Sequence, residues 1–85
     1  MAKEYRVFVH LKALDTLPGS GKRRAAVVAH LQILGQIAHL GGDYTIIDPE
    51  TRRPFNVTEV AGYAITWWID VPVGEVKVVD ITAAN

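Results

Sequence analysis

The chain has 85 residues, 49% of them hydrophobic and 21% charged, with nine basic and nine acidic side chains and a formal net charge of zero. That describes one domain with ample apolar material for a core, and it excludes a disordered, highly charged tail. A pI near 6.8 leaves no global field to draw in nucleic acid, so such a role needs a local basic patch; the absence of cysteine excludes disulfides and thiolate metal sites.

No apolar run reaches the length of a membrane span, and Met1-Ala2-Lys3-Glu4-Tyr5-Arg6 lacks the apolar stretch of a secretory signal. A cytoplasmic location and no membrane partner are therefore expected. Asn56-Val57-Thr58 matches a glycosylation sequon, a pattern common by chance and irrelevant without secretion.

Residues Glu4 to Leu11 alternate, with Tyr5, Val7, Val9 and Leu11 on one face and Arg6, Phe8 and His10 on the other, which predicts a strand. Lys12 to Leu17 offers Ala13, Leu14 and Leu17 at helical spacing before Pro18-Gly19-Ser20-Gly21 interrupts. A longer helix follows over about Lys22 to Leu40, with Ser20 as its expected N-cap and Gly41-Gly42 as its stop. Its stripe of Val27, Val28, Leu31, Leu34 and Ala38 is the natural cover for a sheet. A second, offset stripe of Ile33, Ile37 and Leu40 is expected to be covered in part by the short first helix and for the rest by a partner, a second copy of the chain being the homodimer candidate.

Asp43 to Asp48 reads as a strand, Asp48-Pro49-Glu50-Thr51-Arg52 as a turn, and Arg53 to Glu59 as another strand. Val60-Ala61-Gly62 suits a three-residue hairpin loop with the glycine left-handed. That register sets Glu59, Val57 and Phe55 opposite Tyr63, Ile65 and Trp67, all facing the helix; a two-residue Ala61-Gly62 turn shifts it by one and exposes Phe55 and Val57. Gly62 to Asp70 and Glu75 to Ile81 form the next two strands, joined by Val71-Pro72-Val73-Gly74, where proline presets φ and glycine closes. Thr82 to Asn85 reads as a frayed end.

The expected fold is α+β, in the order β-α-α-β-β-β-β: two layers, a mainly antiparallel sheet with a helical hairpin on one face. The other face, carrying Asn56, Thr58, Ala64, Thr66, Trp68 and Lys77, is then open to a ligand.

Lys22-Arg23-Arg24 puts three cations in a first helical turn, where each opposes the macrodipole at about 0.3–1 kcal/mol. Such a cluster meets phosphates or an acidic partner segment, or is a solvated turn pairing locally with Asp15. Arg52-Arg53 extends the same patch or serves turn solubility. Trp67 belongs to the core; Trp68, on the open face, stacks a base or seats a partner's side chain, unless the chain terminus covers it. Gly19-Ser20-Gly21-Lys22 fails as a phosphate loop, since Thr16 stands at the first glycine position and Arg23 follows the lysine. His30 and His39, nine residues apart, lie on opposite helix faces and hold no metal together; His39 suits the helix C-terminus, and His10 is a weak acid/base candidate on the open face. Asp43, Asp48, Asp70 and Asp80 read as turn and edge residues. No cofactor is expected.

The short first strand, Lys12-Ala13-Leu14-Asp15-Thr16-Leu17, the basic start of the long helix, Gly62-Tyr63-Ala64-Ile65-Thr66-Trp67 and the strand ending Val78-Val79-Asp80-Ile81 together resemble the RelE/ParE superfamily of toxin–antitoxin toxins, over nearly the whole chain. The resemblance implies a RelE-like fold and a small cytoplasmic bacterial toxin, neutralised by an antitoxin that wraps the helices or the open face. Relatives cleave mRNA on the ribosome or poison DNA gyrase. Here Ala64 replaces the arginine that usually follows the motif tyrosine, Asn56 to Glu59 supply none of the arginines or lysines the family usually presents there, and the chain ends Thr82-Ala83-Ala84-Asn85 without the family's late tyrosine, histidine, lysine or arginine. Phosphodiester cleavage needs a base and cations for the developing charge. The expectation is accordingly a toxin that acts by binding through Lys22, Arg23, Arg24, Arg52, Arg53, Trp68 and Lys77, with no assigned catalytic residue. The alternatives are an mRNA endoribonuclease with an unconventional site and a non-toxic interaction domain of the same fold.

Overall fold

The computed structural model describes residues 4–84. The expectation for Met1 to Lys3, and that for Asn85 at the end of the chain, lie outside the described residues. Five strands, β1 (Arg6–Val9), β2 (Tyr44–Ile47), β3 (Pro54–Val60), β4 (Tyr63–Asp70) and β5 (Glu75–Ala83), form one sheet in the order β1-β5-β4-β3-β2. Only β1 with β5 is parallel; the other pairs are antiparallel. The fold is thus α+β with a mixed sheet. No helix among the described residues is long and apolar enough to cross a membrane.

The helical layer is less than a hairpin. Helix α1 (Leu11–Leu14) is a single turn, whereas α2 (Lys22–Ile37) has 16 residues and continues as a 3-10 turn over Ala38–Leu40. Strand β1 stops at Val9 because His10 becomes the N-cap of α1, its Nδ1 accepting from the Lys12 N–H at 3.2 Å. Leu11, expected on a strand, therefore opens α1 and is exposed. Ser20 does not cap α2. Gly21 stands there at φ 104°, a conformation a side chain resists, and no side chain bonds the free amides. Gly41, at φ 79°, ends the turn as expected.

The α2 stripe covers the sheet. Val27, Leu31, Leu34 and Ala38 are buried against Ile65, Trp67, Val76, Val78 and Ile81, with Tyr63 packed alongside and Ala13 and Leu17 closing one end. Gly35 is where α2 meets β1: the Tyr5 N–H donates to its carbonyl at 2.9 Å, and an added Cβ would come within 2.0 Å of the Tyr5 oxygen. Of the second stripe, Ile33 and Leu40 are exposed and Ile37 packs partly against the core.

The β3–β4 register differs from expectation. Val60 pairs with Tyr63, Thr58 with Ile65 and Asn56 with Trp67, leaving a two-residue Ala61-Gly62 turn with both residues at positive φ, 53° and 85°. Such a turn matches the twist of the flanking strands better than a longer loop. The one-residue shift inverts β3: Asn56 and Thr58, expected on the open face, share the helix side with Trp67 and Ile65, while Phe55 and Val57 share the open side. A buried indole N–H needs an acceptor, and Trp67 Nε1 finds Thr58 Oγ1 at 3.0 Å. Val57 is nonetheless 2% exposed, held in a row between Tyr44 and Thr66. Nor is the last segment frayed: Thr82 and Ala83 pair with Ala64 and Tyr63, and the Ala84 N–H reaches Gly62 O at 2.8 Å.

Candidate functional site

Among the described residues no helix or strand packs over the sheet face opposite α2. Register places one row of side chains across all five strands of that face: Ile46 of β2, Phe55 of β3, Trp68 of β4, Lys77 of β5 and Phe8 of β1. Flanking rows carry Tyr44, Val57, Thr66 and Asp80 on one side and Asp70, Glu75 and Arg6 on the other. Phe8, Tyr44 and Ile46 are 49%, 47% and 43% exposed, so the face offers water apolar groups at both ends of a row that Lys77 interrupts.

Cations cap its aromatics. The Arg53 guanidinium carbon lies 3.9 Å from the Trp68 ring centroid, and Lys77 Nζ lies 5.3 Å from the same ring. Arg6 lies 5.7 Å from the Phe8 ring. Each such contact is worth about 0.5–1 kcal/mol at an exposed site, since the ring's negative face attracts a cation that water still solvates. Trp68 thus has Arg53 over its ring, while the described last residues, Thr82 to Ala84, lie against Ala64, Tyr63 and Gly62 instead. Two carboxylates of the face are engaged: Lys77 Nζ donates to Asp70 Oδ2 at 2.9 Å, and Arg6 Nη2 donates to Glu75 Oε2 at 3.1 Å. Beside this row, a β-bulge between Thr66 and Trp67 leaves Val79 over, and Phe8, His10, Lys77 and Val79 help line a shallow apolar depression of about 310 Å³.

The residues singled out from the sequence do not form one patch. Arg53, Trp68 and Lys77 come together. Arg52 stays in the β2–β3 turn at φ 61°, where Asp48 organises the chain by accepting from the Glu50 N–H at 3.0 Å and the Thr51 hydroxyl at 3.1 Å. Lys22, Arg23 and Arg24 begin α2 at the other end of the sheet. Arg23 reaches the Ala61-Gly62 turn, its Nη1 3.9 Å from where a Gly62 Cβ would stand, and Arg24 donates to the Pro18 carbonyl at 3.3 Å. The seven residues of β3 separate this cluster from Arg53, about 20 Å at the usual strand rise. Arg52-Arg53 therefore does not extend the helical cluster. Asp15 forms no ion pair with it among the described residues; the pairs present are those of Arg6 and Lys77.

Three features bear on catalysis. Ala64, at the motif position, sits on the open face in register with Glu59 and Thr82, a methyl group beside a carboxylate. His10 spends Nδ1 on the α1 cap. His30 lies on α2, its Nε2 buried without a hydrogen-bond partner, and burial pushes its imidazole below the ordinary 6.5, an effect that the Asp43 charge partly offsets. Among the described residues no three His, Cys, Asp or Glu side chains gather as a metal-holding group. What the open face can do chemically is recognise: stack on Trp68, exchange with the Arg53 guanidinium, and bury apolar groups between Phe8 and Ile46.

Sequence reading missed Phe55, Tyr44 and Ile46 as members of this face. The available signal was Trp67, whose buried N–H demands a polar neighbour and so favours the register that gives it Thr58. Compared with known proteins, the chain matches no family model, no curated protein and no solved structure.

Proposed function

We propose that the chain is a RelE/ParE-like toxin-type domain that acts by binding, with the open sheet face as its contact surface, and that it cleaves no phosphodiester bond itself. The observation that carries this reading is the uncovered row Ile46–Phe55–Trp68–Lys77–Phe8, with Arg53 stacked on its central tryptophan. A row that gathers this many large apolar side chains on an uncovered face is a recognition surface more often than a solvent surface. Tryptophan and arginine at its middle are the residue types that dominate binding energy at interfaces. What supports action without cleavage is Ala64 beside Glu59, a pair that offers no cation to a developing phosphate charge.

The partner is then an acidic or amphipathic protein segment, from an antitoxin that blocks the face or a cellular target that meets it. Carboxylates of such a segment would draw Arg53 and Lys77 while its apolar side chains cover Phe8 and Phe55. Inducible expression in a bacterial host tests the reading. The expected result is growth arrest with cellular mRNA intact. Unimpaired growth contradicts toxicity, and cleavage of mRNA on translating ribosomes by the purified protein contradicts action by binding alone.

A further inference from the structure

Strand β2 ends the sheet, and its residues Tyr44-Thr45-Ile46-Ile47 are all exposed, uncharged and free of proline. Natural edge strands usually carry a lysine, a proline or an inward charge against edge-to-edge pairing; this one carries none. Along an antiparallel ladder the backbone groups of alternate residues face the same way. The Asp48 N–H donates to the Arg53 carbonyl at 2.9 Å, so Asp48, Ile46 and Tyr44 turn toward β3 while Thr45 and Ile47 turn outward. Ile47 lies opposite Pro54, which has no N–H to give, in agreement. Among the described residues no further strand lies beyond β2, so the outward groups of Thr45 and Ile47 are left for a partner outside the sheet.

We infer that β2 pairs antiparallel with β2 of a second copy of this chain, joining two sheets into one of ten strands. A two-fold axis normal to the sheet through Ile46 sets Ile46 against Ile46 of the second copy. It also sets Thr45 against Ile47 of the second copy, and Ile47 against its Thr45. Those two outward-facing pairs exchange four backbone hydrogen bonds. Tyr44 then lies against Asp48 of the second copy, while Asp43 is held on β3, its N–H donating to the Val57 carbonyl at 2.7 Å and its carboxylate accepting from the Glu59 N–H at 2.8 Å, so no like charges oppose one another. A shift of one residue would set an open face against a helix face. The apolar row of the open face runs on unbroken through Ile46 of both copies. Zero net charge leaves no global repulsion between copies. The association closes as a dimer, because the two-fold pairing uses the β2 edge of both copies at once. This holds whether or not the chain is a toxin.

The chain's lack of cysteine makes the test direct. Across a non-hydrogen-bonded antiparallel pair the Cα atoms lie about 4.5 Å apart, within the disulfide range of about 4.4–6.8 Å. Ile46→Cys is expected to cross-link into a covalent dimer on mild oxidation, and Leu40→Cys is not. In sedimentation equilibrium the native chain is expected at twice its 9.3 kDa. Thr45→Pro, which removes an outward donor only, and Ile46→Lys, which opposes two charges, are each expected to return it to 9.3 kDa with an unchanged circular-dichroism spectrum. A native chain that stays at 9.3 kDa overturns the proposal, as does a dimer in which Ile46→Cys fails to cross-link. A dimer that survives Thr45→Pro and is lost in Leu40→Glu overturns it in favour of the Ile33, Ile37 and Leu40 stripe.

Discussion

Arg53 and Trp68 meet across the β3–β4 boundary, the guanidinium lying over the indole with its central carbon 3.9 Å from the ring centroid. The contact makes the centre of the open face amphipathic: a large apolar ring under a planar cation that keeps its donors free for a partner. It also ties the β2–β3 turn to the middle of the sheet. The consequences of this arrangement, and of the packing beneath it, are open to measurement.

Thr58→Val removes the acceptor for the Trp67 indole N–H, which is fully buried. Leaving a buried donor unpaired costs about 1–3 kcal/mol. Urea denaturation is expected to show that loss, and Thr58→Ser, which keeps the hydroxyl, to recover most of it. Equal stabilities for the valine and serine variants would mean that the bond contributes nothing.

That hydrogen bond marks how far the sequence was legible. The order of elements, the α2 stripe over Trp67, the proline–glycine turn before β5 and the stop at Gly41 all follow from periodicity and turn chemistry, which act locally. The β3 register does not, because Ala61 adopts φ 53°, which an alanine side chain disfavours and composition gives no reason to expect. One residue of turn length then decides whether Phe55 or Asn56 faces the helix. Hydrophobic alternation points the wrong way here: β3 turns its phenylalanine and valine outward and its asparagine and threonine to the core side. The long-range demand of Trp67 for an acceptor wins over local patterning. The split of the basic residues was illegible for a related reason, since Arg23 and Arg53 stand at opposite ends of a strand that sequence distance does not measure.

Gly35→Ala is expected to destabilise, against the usual trend. At an exposed helix position the change gains up to about 1 kcal/mol from helix propensity. Here the new methyl would stand 2.0 Å from the Tyr5 carbonyl oxygen, so α2 and β1 must separate, and overpacking of this kind costs about 1–3 kcal/mol. A lowered melting temperature is the expected result; a raised one would show that the helix and strand are not in close contact.

Stability should fall toward acid through His30. Burial lowers its folded-state pKa below 6.5, so between those two values the unfolded chain binds more protons and folding weakens as pH drops. Its contribution is complete above about pH 6.5 and diminishes below it, until the folded-state imidazole itself titrates. His30→Gln is expected to flatten the dependence of melting temperature on pH between neutrality and mild acid. An unaltered slope would assign that dependence to other groups.

Lys22→Glu should stabilise. The side chain opens a helix that has no capping side chain and no acidic residue in its first turn, and replacing a cation by an anion there gains about 0.3–1 kcal/mol for each unfavourable charge removed or favourable one added. Replacing Lys22, Arg23 and Arg24 together by glutamate is expected to leave thermal stability equal or higher. Retained partner binding by that triple variant would place recognition wholly on the Arg53–Trp68 face; lost binding would include the start of α2 in the contact surface.

Growth on induction of Trp68→Ala, set beside growth on induction of the native chain, tests the central claim most directly, with the variant's fold verified by its melting transition. The account predicts arrest by the native chain and relief of arrest by the variant, because the ring is the middle of the contact surface and not part of the buried core. Arrest of equal strength by a folded Trp68→Ala protein would contradict it.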